Sequence, residues 1–242
     1  MFTKRELLHL FISVIILGFV FGFDDGRQIF ILSDWLTNFF GFFIIIAISL
    51  LFRELVIKLF AKRHDAKSEY ELWGMGRFWF SGKLAIKKKV PIGLFVAFVI
   101  TVASRGKLFF TALGSHQLQE FGLSRTGRKH PTLNYFEEAQ ICSMGMLANL
   151  FLTIIALLIG RIFDVNVGAF VTVNFFIVLF NMIPFSTLDG AKIFFGSLLM
   201  YIFVLVFIVV AFLLIKYSII LSLIIAFLVA CVATFVYFFN WG

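Results

Sequence analysis

Residues 36–57 read LTNFFGFFIIIAISLLFRELVI, twenty-two positions whose only charges, Arg53 and Glu54, fall together near the end. A helix needs roughly 20 apolar residues to cross the hydrocarbon core of a bilayer. This stretch is long enough, and the adjacent charges are its anomaly. An ionised side chain at mid-membrane depth costs about 2.5–3.5 kcal/mol on insertion scales unless it is paired. Five further apolar runs, 7–23, 139–160, 167–187, 193–215 and 217–239, repeat the pattern. The expected fold is all-α: a polytopic membrane helical bundle of about six spans, forming one integral domain over residues 1–242.

Composition points the same way. The chain is 62% hydrophobic and 14% charged, with 36 phenylalanines and only three prolines in 242 residues. Soluble domains average about 45–50% apolar and about 25% charged, so the lipid bilayer is the first expected partner. The net charge of +8 is better explained by orientation in a membrane than by nucleic acid, and no nucleic-acid partner is expected. Cys142 and Cys231 have no metal-site spacing. The first run follows Lys4 and Arg5 like a signal peptide. It is longer than the usual h-region, however, and Phe21-Gly22-Phe23-Asp24 offers no small-x-small cleavage site, so it is expected to be a retained span.

Two polar regions interrupt the runs, 24–35 and 58–138. The second contains an apolar island at 91–103, too short for a span and expected to be re-entrant or interfacial. If the island does not cross, Glu54 and Asp189 end near the same membrane face and can share a site. Residues 61–90 hold eight basic and three acidic side chains, and 104–138 five and three, whereas 24–35 holds one basic and three acidic. The positive-inside rule then puts the N-terminus and the 58–138 segment in the cytoplasm. Within it, residues 69–89 alternate loosely and contain Gly74, Gly76 and Gly82. Two readings stand: a short membrane-associated β-hairpin with Trp73, Trp79 and Lys87-Lys88-Lys89 at the headgroups, or a basic solvated loop.

Three motifs carry a resemblance. Arg53-Glu54-Leu55-Val56-Ile57 is similar to an H-E-x-x-H zinc helix with both histidine positions replaced. Gly145-Met146-Leu147-Ala148-Asn149 is similar to Gly-Pro-x-x-Asn, with Met146 at the proline. Asn181-x-x-Pro184-x-x-x-Leu188-Asp189-Gly190 matches N-x-x-P-x-x-x-L-D-G. In this order, on these spans, they resemble the site-2 protease family of intramembrane zinc metalloproteases. The resemblance covers about residues 45–195, a protease-like core, and leaves two extra C-terminal spans within 193–239.

The resemblance implies two histidines and an aspartate on zinc, with glutamate as general base. Those positions are here Arg53, Ile57, Asp189 and Glu54. Arginine is always protonated and offers no lone pair, and isoleucine has no ligating atom. No metal and no cofactor are therefore expected, although active relatives use zinc, and Glu54 keeps a general-base position without its ion. His9, His64, His116 and His130 have no i,i+3 or i,i+4 partner among themselves to rebuild the site. Two readings of Arg53 stand. Its guanidinium either replaces the ion by bonding Asp189 in bidentate fashion, or it snorkels with Lys58 into the headgroups. Asn149 and Asn181 serve as substrate contacts or as helix-to-helix glue. Pro184 and Gly190 open backbone groups to an extended peptide.

The function expected first is that of a catalytically inactive homologue, a pseudoprotease binding transmembrane segments of client proteins without cutting them. Two alternatives are an active site-2-type metalloendopeptidase with an atypical metal set, and a transporter or channel lined by Arg53, Glu54 and Asp189. Against the last, no half-chain repeat is visible.

Overall fold

The computed structural model describes residues 2–24, 26, 30–74, 90–120 and 133–241. Its elements, in chain order, are α1 (Lys4–Gly22), α2 (Leu32–Arg63), β1 (Ala66–Leu72), α3 (Ile92–Ala103), β2 (Gly114–Glu120), α4 (Tyr135–Phe163), α5 (Gly168–Asn181), α6 (Asp189–Gly196), α7 (Leu198–Leu214) and α8 (Ile219–Trp241). Among the described residues, α1, α2, α4 and α8 are long and apolar enough to cross a membrane. The apolar helices α3, α5 and α7 are shorter.

The chain divides into two compact units. The first comprises Met1–Leu50 and Glu69–Gln117, the second Leu51–Ser68 and Leu118–Gly242. In the first, Thr3 caps α1 through a reciprocal capping box with Glu6, satisfying amides that a helix start leaves open. Glu6 is also buried, and its Oε1 accepts from the Tyr70 backbone N–H at 3.2 Å. The Tyr70 hydroxyl meets Ser13 Oγ at 2.8 Å, so α1 is held to β1 by polar as well as apolar contacts. Phe19 stacks on Phe98 of α3 at 5.4 Å. With 12 residues, α3 is about 18 Å long at 1.5 Å per residue. That is shorter than a hydrocarbon layer of about 30 Å.

β1 forms a two-stranded sheet with β2, which starts at Gly114, 42 residues after β1 ends at Leu72. The backbone N–H of Trp73 continues the pairing to the Leu113 carbonyl at 2.7 Å. The rest of the expected hairpin, including Trp79 and Lys87 to Lys89, lies outside the described residues, as does His130.

In the second unit the end of α2 runs antiparallel to α4, and four contacts fix the register. His64 Nδ1 stands 3.9 Å from Glu137 Oε1. Ala61 clusters with Ile141 and Ile57. Ile57 lies against Gly145, and Phe52 stacks on Phe151 at 6.4 Å. Each step along α2 is matched by an equal step back along α4, so Arg53 is level with Asn149.

Two expected spans are broken. The run 167–187 stays helical only to Asn181, and 193–215 is divided at Ser197 between α6 and α7. The first break has a chemical cause. Pro184 has no N–H to donate and crowds the preceding residue out of helical conformation. The chain then turns through Ser186 in the left-handed region at φ 55°. At the second, Ser197 is extended, and its Oγ accepts from Met200 N–H to start α7. Gly196 ends α6 directly against the Tyr135 carbonyl at the start of α4. α6 therefore rises beside the first turns of α4, with Asp189 at its inner end. α7 and α8 pack as a hairpin, with Phe203 edge-on to Phe227 at 5.9 Å.

Candidate functional site

Arg53 is ten residues from the end of α2, or about 15 Å in from it. It cannot reach water there: its side chain is 2% exposed, and Glu54 and Asp189 are both 0% exposed. The guanidinium finds its partner 136 positions away, Nη2 donating to Asp189 Oδ2 at 2.6 Å. Of the two readings of Arg53, pairing is the one realised, through Nη2 alone and not as the expected bidentate fork, since Nε has no partner. The Lys58 ammonium donates to the Ser68 carbonyl at 2.8 Å.

The pair is reinforced by its setting. Asp189 is the first residue of α6, where the positive end of the helix dipole favours a carboxylate. Desolvating two charges costs several kcal/mol each, which the short contact must offset. Glu54 places a second carboxyl beside Arg53 in sequence, and it is also fully buried. Cys142, one helical turn before Met146 on α4, is fully buried.

Gly145 sets how closely α4 approaches. A Cβ there would lie 2.5 Å from Ile57 Cδ1 and 3.3 Å from Arg53 Nε. Ile57 is therefore a packing residue, fully buried against that glycine. Gly145→Ala is expected to lower stability by about 1–3 kcal/mol through overpacking. Combining it with Ile57→Val, which removes the clashing methyl, is expected to restore part of the loss. Thermal unfolding of the two single variants and the double variant in detergent checks this.

The break between α5 and α6 forms the other wall. Asn181 ends α5, with its Nδ2 donating back to the Ile177 carbonyl at 2.7 Å. The Tyr201 hydroxyl donates to the Met182 carbonyl at 3.0 Å. Gly190 is pressed so close that a Cβ would sit 2.3 Å from the Met182 carbonyl oxygen. Ile183, Pro184, Phe185, Ser186 and Thr187 are all exposed. Asn149, level with Arg53, is fully buried, and neither its Nδ2 nor its Oδ1 has a hydrogen-bond partner.

No family model, curated protein or solved structure matches this chain. What the arrangement can do must follow from its residues. Zinc binding needs three or four N, O or S donors. Arg53 and Ile57 supply none, Asp189 is engaged by a guanidinium, and no group of three or more His, Cys, Asp or Glu among the described residues is placed to hold a metal. The donor set does not fit zinc. The structure thus brings together Arg53, Ile57 and Asp189 and places Asn149 level with them. It sets Asn181 and Gly190 at the break, with Pro184 on its exposed side. Sequence reasoning missed Gly145's contact with both Arg53 and Ile57 and the Tyr201 hydroxyl at Met182. Residues four apart on one helix face signal the first; nothing in the sequence signals the second.

Proposed function

We propose that this chain is a membrane-embedded pseudoprotease of the site-2 type, which binds transmembrane segments of other proteins and does not cleave them. The observation that carries this reading is the buried Arg53–Asp189 contact of 2.6 Å. A guanidinium stands where a divalent ion would neutralise the aspartate, so one substitution both removes a ligand and satisfies the charge. Without an ion to lower the pKa of a bound water, Glu54 has no activated nucleophile to serve.

The exposed break supports the binding half of the reading. Asp189 lies seven residues before Gly196, about 10 Å inward along α6. Irregular backbone at membrane depth is tolerated only where protein covers it or water reaches it. A client segment lying along residues 183–187 would cover it, with Phe185, 51% exposed, as an apolar contact. The four long apolar helices support a membrane location, and we assign the basic end of α2 to the cytoplasmic side by charge.

Metal analysis of the purified chain tests the reading. The native protein is expected to retain no stoichiometric zinc after dialysis. Arg53→His and Ile57→His together place two imidazoles one turn apart, as zinc requires. That variant is expected to hold about one ion per chain, lost on adding Asp189→Asn. Stoichiometric zinc in the native chain would return proteolysis to the front. In liposomes, a synthetic transmembrane peptide is expected to crosslink to a photoreactive residue at position 185 and to remain uncut.

A further inference from the structure

We propose that Arg53 and Asn149 together hold one water molecule inside the second unit, a hydration site joining α2 to α4. Three polar atoms point to it. Arg53 Nε, Asn149 Nδ2 and Asn149 Oδ1 are buried without a hydrogen-bond partner, on side chains 2% and 0% exposed. They are close to one another by two independent arguments. The α2–α4 register, set by His64 with Glu137, by the Ile57, Ala61 and Ile141 cluster and by Phe52 on Phe151, makes Arg53 and Asn149 level. Helical side chains also lean toward their helix N-terminus, which carries the Asn149 carboxamide toward the turn at Gly145. A Cβ at Gly145 would stand 3.3 Å from Arg53 Nε.

The chemistry of these atoms selects the ligand. Arg53 Nε–H can only donate, whereas the carboxamide both donates and accepts. The occupant must accept from Nε–H and Nδ2–H and donate to Oδ1. Water does all three, and a buried water needs two to four such partners. An anion would leave Oδ1 without a donor and would lie near the Asp189 carboxylate that Arg53 already holds. A cation would face the guanidinium. A peptide segment cannot enter, since both side chains are closed to the outside. Leaving three buried polar atoms without partners is rare in folded proteins.

Solution NMR of the full chain in lipid nanodiscs, with asparagine side chains labelled with ¹⁵N, tests the site. The Asn149 amide protons are expected to show cross-peaks to long-lived water, and Asn149→Leu identifies them by removing them. A high-resolution density map of the native protein is expected to contain one peak within hydrogen-bond distance of Arg53 Nε and of the Asn149 carboxamide. The map keeps the test decisive if the leucine variant does not fold. The proposal is overturned if the amide shows no water cross-peak, if the carboxamide bonds Arg53 directly, or if the peak belongs to a lipid or peptide oxygen.

Discussion

Arg53→Ala is expected to lower stability by about 3–5 kcal/mol, the loss typical of a buried ion pair deprived of one partner. The penalty is chiefly what the change leaves behind. Asp189 is fully buried and would keep a desolvated carboxylate with its guanidinium gone. Asp189→Ala should cost a similar amount, because a guanidinium cannot shed its charge by deprotonation. Removing both charges at once, as Arg53→Met with Asp189→Leu, should recover most of the loss, since a well-packed apolar pair often matches a buried ion pair. Lys58→Ala serves as the contrast. Lys58 is only partly buried and donates to a neutral carbonyl, that of Ser68, for an expected cost of about 1 kcal/mol. Thermal or denaturant unfolding in a fixed detergent measures all four variants. Equal, small effects of Arg53→Ala and Lys58→Ala would sink the pairing.

Gly190→Ala is expected to be nearly as damaging, at about 3 kcal/mol, the upper end of the cost of overpacking. The reason is the kind of atom that the new methyl meets. At Gly145 the obstacle is the end of the Ile57 side chain, which can move. At Gly190 it is backbone: a Cβ would lie 2.3 Å from the Met182 oxygen, 2.4 Å from its carbonyl carbon and 2.8 Å from the Asn181 oxygen. Relief requires the end of α5 to separate from the start of α6. That movement would draw Asp189, the neighbouring residue, away from Arg53. The variant should therefore lose the extra sensitivity to Arg53→Ala, so that the two changes together cost less than their sum. A double-mutant cycle on unfolding free energies checks this, and strict additivity would show that the break and the ion pair are independent.

Much of the helical content was legible because long apolar runs have few alternatives. The runs at 7–23, 36–57, 139–160 and 217–239 correspond to α1, α2, α4 and α8, with ends displaced by a few residues where polar side chains extend the helix. The runs at 167–187 and 193–215 were less legible. Hydropathy averages over a window and does not register Pro184, Ser186 or Ser197, each of which acts on the backbone of one or two residues. The pairing of β1 with β2 was not legible, since short strands of mixed polarity carry little periodicity and their partner is set by what packs around them. At the site, the absence of metal-donating atoms at positions 53 and 57 can be read directly from residue identity.

Sequence alone determined which atoms are available: a permanent cation and an aliphatic side chain on α2, a carboxylate at Asp189, a carboxamide at Asn149, and helices too apolar to prefer water. Only the tertiary structure decided what these atoms do. A guanidinium at the end of a span can turn outward to water or inward to an acid at similar cost. The choice fell to the close approach of α4 at Gly145 and to the broken span that delivers Asp189, because together they bury Arg53 and bring Asp189 Oδ2 within hydrogen-bond distance of its guanidinium.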